Sequence, residues 1–209
     1  MSALPEYCPG FQFRYFVANK DGRRIKAKSN AEFRAAEDHV LRRFRDVLRH
    51  RPDMMEQLAC LENGLEICLY QGEGFLGYDS ELYFYGAATV NGDEVILELA
   101  TEEVLHGGQN DHDVLDVVVH ELIHIIDYLD DKDGVLPTWD ANQRRRYYRA
   151  REREKVRIRD GVSPLVGYAL TNDVEFLAVT GEVYFTKPAA LQVSNKALFE
   201  LFNAYFQQY

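Results

Sequence analysis

Two histidines and a glutamate lie inside the most apolar segment of the chain. The segment VVVHELIHIID, residues 117–127, carries His120, Glu121 and His124 among valine, leucine and isoleucine residues. An ionisable group that is buried without a partner is strongly destabilising. These side chains therefore need one another or a bound ion.

The spacing of these residues matches the zinc-binding H-E-x-x-H motif. On a helix, His120 and His124 project from one face about one turn apart, so their ring nitrogens can converge on one ion. Zinc binds such nitrogens at about 2.0–2.1 Å. Glu121 is rotated around the helix, where it reaches a water in the open position of the metal and accepts its proton. The motif predicts one Zn²⁺ per chain and metal-assisted hydrolysis.

A catalytic zinc site needs a third protein ligand, and several residues are candidates. In one known layout the chain turns back at a glycine after the motif and supplies the third ligand three residues later. Asp130 occupies that ligand position, but Asp127 replaces the glycine at which the chain would turn. His106 and His112 precede the helix and are more simply explained as loop residues.

A downstream helix is the remaining source of a third ligand. The segment TNDVEFLAVTGEVYF carries Glu175 and Glu182 seven residues apart, and therefore on one face of a mostly apolar helix. A buried glutamate normally has a partner, and zinc would supply one.

The elements that position these residues can be read from hydrophobic spacing. Ser29 and Glu32 match a capping box, and apolar residues then recur at helical spacing over 33–47. Residues 52–62 predict a short second helix. Three β-rich runs follow, LEICLY, ELYFYGAATV and EVILELA, with Asn91-Gly92 as a hairpin turn between the last two. Helices are then predicted at about 113–130, 139–159 and 173–185, the last capped by Thr171 or Asn172, and in a final stretch ending in LFELFNAYFQQY.

These patterns predict an α+β fold with a three-stranded sheet inserted among helices. We expect one domain over residues 1–209, with a helical amino-terminal part (1–63) and a catalytic core (64–209). In that core, the small sheet is expected to pack on the helix that carries His120 and His124.

Composition limits the class of protein. A net charge of −10 argues against nucleic-acid binding, which needs an excess of Lys and Arg. Cys8, Cys60 and Cys68 form no C-x-x-C pair, which indicates free thiols in a reducing compartment. The opening MSALPEYCPG lacks the pattern of a secretory signal, and no apolar run approaches the roughly 18 residues of a membrane span. We expect a cytoplasmic protein without a membrane or nucleic-acid partner.

The motif and a downstream block together resemble the Mlc titration factor A family of zinc peptidases, whose catalytic core is similar to that of anthrax lethal factor. The matching residues are HExxHxxD at 120–127, DGVLP, and the segment from Tyr168 through NDVEF to GEVYFTKP. The likeness covers roughly residues 94–209, including the closing NAYFQQY. This resemblance implies a zincin-like metallopeptidase domain of the gluzincin type.

The resemblance also implies the roles of two further residues. The third zinc ligand of the family lies in a D-P-A-E-like segment and matches Glu175, although Val174 differs and Asp173 precedes it without the family's proline. Tyr168 matches a tyrosine that helps to stabilise the oxyanion.

Four other features have two interpretations each. Asp127 is predicted to accept a histidine N–H or bind the following loop, or else to contact a basic residue. Glu182 is either a carboxylate behind the metal ligands or a half-exposed helix residue. The strand VILELA either offers a free edge to a peptide or is paired on both sides. The basic run 144–159, with nine Lys or Arg against two Glu, either steers an acidic partner or is a solvated face.

We therefore predict a zinc-dependent peptidase that acts on a peptide or protein, with Glu121 as general base. The rival function is that of a metal-containing regulatory protein that sequesters a partner such as a transcriptional regulator. Retention of Glu121 and Tyr168 favours hydrolysis, because a binding protein needs neither residue. A structural zinc site would need a fourth protein ligand, and no cysteine is near enough in sequence to be an obvious one.

Overall fold

The structure, a computed structural model, describes residues 11–18, 24–59, 61, 64–76, 83–91, 94–106, 116–129 and 132–207. Cys8, Cys60, His112 and Asp130 lie outside the described residues. The chain forms two compact units, the first within 1–41 and 51–105 and the second within 42–50 and 106–209. A single domain over the whole chain, with the sheet packed on the histidine-bearing helix, stays a prediction.

The first unit contains the described strands and three helices, although the end of the longest helix, residues 42–48, belongs to the second unit. In chain order the elements are β1 Phe11–Ala18, β2 Arg24–Lys26, α1 Ala31–Leu48, α2 Pro52–Ala59, β3 Leu65–Tyr70, β4 Phe75–Leu76, β5 Tyr83–Phe84, β6 Gly86–Asn91, β7 Glu94–Ala100 and α3 Thr101–His106. The elements of the second unit are α4 Val117–Tyr128, α5 Ala141–Arg159, a 3₁₀ turn Gly167–Leu170, α6 Asp173–Thr186, α7 Pro188–Ser194 and α8 Lys196–Phe206.

The main sheet has five strands in the order β2-β1-β3-β7-β6. Strands β1, β3 and β7 are parallel, whereas β2 and β6 are antiparallel to their neighbours. The prediction of three strands was wrong, because β1 and β2 lie in the amino-terminal part that was expected to be helical. Strand β7 is paired on both sides, so VILELA does not offer a free edge. The antiparallel pairing of β6 with β7 confirms the predicted hairpin. Asn91, predicted as a turn residue, is instead the last residue of β6 and pairs with Glu94, and Gly92 lies outside the described residues.

The central strands β3 and β7 share one fully buried face. Leu65, Ile67 and Leu69 of β3 stand in register with three apolar residues of β7, and all six are inaccessible to solvent; the β7 residues are Val95, Leu97 and Leu99. Burial of each such side chain contributes about 1.5–3 kcal/mol. The mixture of a small sheet and several helices agrees with the predicted fold class.

The beginnings of the predicted helices are determined by polar caps. Helix α1 is capped by Asn30, whose side chain accepts a hydrogen bond from the Phe33 N–H at 2.9 Å, one residue after the Ser29 cap that the sequence predicted. Helix α6 is capped by Asn172, one of the two predicted caps.

Helices α4 and α6 pack closely in the second unit because Gly181 removes a side chain between them. A Cβ atom at Gly181 would lie 2.6 Å from Ile123 Cγ1. Helix α8 packs on α6 through aromatic rings, such as Tyr184 against Phe202 with ring centroids 5.8 Å apart. Within the described part of the chain, no helix combines the length and the apolar character that a membrane crossing requires.

Candidate metal centre

Helix α4 carries the two histidines, and its first turn is fixed by polar contacts. Asp116 caps the helix by accepting the Val119 N–H at 3.1 Å. The Arg43 Nε atom lies 2.6 Å from the other carboxylate oxygen of Asp116, and the Asp116 N–H donates to Glu182 at 2.7 Å. Because this end of the helix is held from two sides, the turn that follows presents His120 and His124 in a defined orientation.

Three donor atoms converge beside this helix. His120 Nε2 lies 3.1 Å from His124 Nε2 and 3.1 Å from Glu175 Oε2, and His124 Nε2 lies 3.3 Å from the same oxygen. Ligands at the corners of a tetrahedron, about 2.0–2.1 Å from zinc, are about 3.3–3.4 Å apart. In the described part of the chain, these side chains form a cluster able to hold a metal ion, and their spacing fits zinc.

Glu175 reaches this cluster from the first turn of α6. The Asn172 side chain accepts the Glu175 N–H at 2.8 Å, which fixes the backbone of the glutamate. Burial raises the pKa of Glu175, but hydrogen bonds to His120 and His124 outweigh burial and lower it to about 2. The carboxylate is therefore ionised at neutral pH and faces two imidazole nitrogens.

Glu182, two turns further along α6, contacts the other side of the His120 ring. Its Oε2 atom lies 3.4 Å from His120 Nδ1, and the side chain is 1 % exposed. Burial lowers the pKa of His120, yet hydrogen bonds to Glu175 and Glu182 raise it overall to about 10. The surroundings of this ring thus stabilise positive charge, as a cation site requires. The interpretation of Glu182 as a half-exposed residue was wrong.

Glu121 is buried next to the first histidine, with 6 % exposure. Burial raises the pKa of this carboxyl, while the charges of His120 and His124 lower it. A carboxylate with a raised pKa is a stronger base than an ordinary glutamate. The residue has the chemistry expected of a proton acceptor beside the cluster.

Tyr168 lies in the 3₁₀ turn before α6 and is 49 % exposed. Its ring centroid is 6.0 Å from that of His120. Burial, followed by the charge of Glu175 and a hydrogen bond to it, raises the pKa of this phenol to about 12. The hydroxyl therefore keeps its proton at neutral pH and remains a hydrogen-bond donor beside the cluster.

Asp127 fixes the loop that follows α4. Its carboxylate accepts the backbone N–H groups of Gly134 at 3.2 Å and Val135 at 3.4 Å. Burial raises the pKa of Asp127 to about 6, although these two donors lower it. Of the predicted alternatives, the contact with the following loop is confirmed.

The Nδ1 atom of His124 is buried and has no hydrogen-bond partner among the described residues.

One residue near the cluster was not singled out from the sequence. Tyr128 stacks on His124 with ring centroids 5.9 Å apart, and the Lys132 ammonium lies 4.2 Å from the centre of the Tyr128 ring. Tyr128 follows His124 by four residues on the same helix, and side chains at this spacing are neighbours. That spacing was the sequence signal that could have identified Tyr128.

His106, which the sequence suggested to be a loop residue, is the last residue of α3 and is exposed.

Comparison with known proteins places this chain in a family. No curated protein matches it. The family model described as glucose-regulated metallo-peptidase M90 matches residues 73–207, which include α4, the turn with Tyr168 and α6. The match confirms the resemblance to the Mlc titration factor A family and supports a metallopeptidase function in general. The chain belongs to the glucose-regulated metallo-peptidase M90 family.

Proposed function

We propose that this protein is a zinc-dependent peptidase of the gluzincin type, in which His120, His124 and Glu175 hold one zinc ion. The observation that carries the proposal is the convergence of three donor atoms, each 3.1–3.3 Å from the other two. Two imidazoles and one carboxylate are a ligand set that leaves a coordination position for water or substrate. Membership of a metallopeptidase family supports a peptide as substrate.

Glu121 is proposed to transfer the proton during hydrolysis. A zinc ion held by the three ligands supplies Lewis-acid polarisation of a carbonyl group and lowers the pKa of water. Glu121 accepts the proton of the attacking water and then donates it to the leaving amine. Its raised pKa suits both steps, because a more basic carboxylate takes the proton more readily and its acid form remains able to return it.

Tyr168 is proposed to stabilise the negative charge that develops on the carbonyl oxygen. Its phenol is protonated at neutral pH, and its half-exposed position leaves it accessible to a substrate. A donor of this kind acts on charge that exists only in the transition state, so it raises turnover more than substrate binding.

The test combines a metal assay with cleavage of a peptide library by three forms of the protein. We expect the wild type to contain about one zinc per chain and to cleave peptides. Glu121→Gln should keep its zinc but lose activity by about 10²–10⁴-fold, because it removes the proton acceptor and no ligand. Glu175→Gln should bind zinc more weakly.

The results of this test separate the proposal from its rivals. A wild type that binds no zinc on titration contradicts the metal site. Normal cleavage by Glu121→Gln contradicts the role of the base. A zinc-loaded wild type that cleaves no peptide in the library indicates the regulatory, partner-binding function instead.

A further inference from the structure

Two cations of the basic helix α5 bind the first residue of α6. Arg151 Nη1 lies 2.7 Å from one carboxylate oxygen of Asp173, and Lys155 Nζ lies 2.8 Å from the other. Arg151 and Lys155 are four residues apart, so they lie on one face of α5. Their side chains are only 11 % and 16 % exposed, whereas that of Asp173 is 46 % exposed. This part of the basic run is therefore not a solvated face.

The loop after α4 packs closely against the backbone of Asp173. Gly134 has a φ of +70°, and a Cβ atom there would lie 2.6 Å from the carbonyl carbon and oxygen of Asp173. The Gly134 N–H in turn donates to Asp127 of α4. The first residue of α6 is thus fixed by α5 through its side chain and by the α4 loop through its backbone.

The position of Glu175 depends on this first turn. His120 and His124 share a helix, so helix geometry sets the distance between their Cα atoms. Glu175 lies on another helix, two residues after Asp173, and its carboxylate meets both histidines only if the first turn of α6 keeps its place. The first turn of a helix lacks intrahelical partners for its N–H groups and frays readily unless it is held. Here Asn172 caps the turn through the Glu175 N–H, and the ion pairs of Asp173 add a second hold from outside the helix.

We propose that Arg151 and Lys155 are positioning residues for the metal centre: through Asp173 they hold the first turn of α6, and with it the Glu175 carboxylate, against the two histidines. The inference rests on the proposed function, since it takes Glu175 to be a metal ligand. It assigns to part of the basic run 144–159 a role in metal affinity.

The experiment removes the charge of Asp173 without changing its shape. Asp173→Asn should weaken zinc binding roughly tenfold, the lower end of the range for residues that support a ligand, because Asp173 acts through the backbone. Asp173→Glu keeps the charge and should bind zinc within about threefold of the wild type. Zinc affinity is measured by competition with a chelator, and the absorption spectrum of the cobalt-substituted protein reports the ligand geometry.

Glu200→Gln is a matched control for loss of an acidic partner of α5. A carboxylate oxygen of Glu200 lies 3.2 Å from Arg146 Nη2 of α5. The Glu200 side chain is 47 % exposed, close to the 46 % of Asp173. It lies on α8, away from the first turn of α6 in sequence. We expect this variant to keep the zinc affinity and cobalt spectrum of the wild type.

Each outcome decides between the inference and the site on which it rests. Weaker zinc binding and an altered cobalt spectrum in Asp173→Asn, but not in Asp173→Glu or Glu200→Gln, support the inference. If Asp173→Asn keeps the zinc affinity and cobalt spectrum of the wild type, as Glu200→Gln is expected to do, the positioning role is overturned. In that case weaker zinc binding by Glu175→Gln still supports the proposed metal site. Unchanged binding by Glu175→Gln overturns both.

Discussion

Glu182 gives the sharpest test of how the protein orients a metal ligand. One of its oxygens accepts the Asp116 N–H at 2.7 Å, and the other lies 3.4 Å from His120 Nδ1. Because the nearby Glu182 oxygen acts as a hydrogen-bond acceptor, one proton of the His120 ring is assigned to Nδ1. In the metal-free protein the raised pKa of His120 places a second proton on Nε2, which faces Glu175 at 3.1 Å. A zinc ion would displace that proton and bind the Nε2 lone pair.

Glu182→Gln keeps the size of the side chain and alters one of these two contacts. The amide oxygen can still accept the Asp116 N–H, but the amide NH₂ group then faces His120 Nδ1. Two donors repel, so the ring loses its proton from Nδ1 and keeps the one on Nε2, the atom needed for zinc. We expect zinc to bind about tenfold more weakly, at the lower end of the 10–100-fold range because the contact is long. This loss corresponds to about 1.4 kcal/mol.

The assay is chelator competition on wild type, Glu182→Gln and the control Glu200→Gln. Chemical denaturation of the metal-free proteins should show a loss of about 1.5–3 kcal/mol in the free energy of unfolding, since the hydrogen bond to the charged His120 ring is lost while the Asp116 hydrogen bond is retained. If Glu182→Gln binds zinc as tightly as the wild type, Glu182 does not hold the His120 proton on Nδ1 and the reasoning is refuted.

Two further changes test the phenol and the helix contact. Tyr168→Phe should lower kcat by about tenfold to a thousandfold with little change in KM, zinc content or Tm; full activity with zinc bound would remove Tyr168 from the mechanism. Gly181→Ala should lower the free energy of unfolding by about 1–3 kcal/mol, because the new Cβ atom meets Ile123. Denaturation of the double variant with Ile123→Ala should show partial recovery, and strictly additive effects would contradict the contact.

The sequence predicts the histidine-bearing helix well, because its signals are local. His120 and His124 show the helical spacing themselves, and the apolar residues around them predict burial. The third ligand is different, since Glu175 and Glu182 share one face of α6 and both are buried to a large extent. Spacing alone predicts the shared face but not which carboxylate meets which nitrogen of His120. The resemblance favoured Glu175, and its assignment as a ligand stays a prediction.

Contacts between distant parts of the chain were not predicted. The run FQFRYFVA at 11–18 has apolar residues at alternate positions from Phe11 to Tyr15, a β-strand signal, yet its parallel partner β3 comes after two helices. Likewise, the charges of Arg151 and Lys155 are visible in sequence, but their pairing with Asp173 depends on how α5 and α6 pack. Such pairings follow from tertiary structure and have no periodic pattern.

The contact between α4 and α6 connects the features of the metal centre. Glu175 and Glu182 of α6 lie on the two nitrogens of the same His120 ring, at 3.1 and 3.4 Å. The helices approach each other where Gly181 meets Ile123, a residue between the two histidines in sequence. A Cβ atom at position 181 would have to displace the Ile123 side chain or move α6 away from α4. Where α6 moves, both carboxylates move away from His120 together. We therefore expect Gly181 to matter for the proposed metal site as well as for packing, so that zinc affinity and stability fall together in Gly181→Ala.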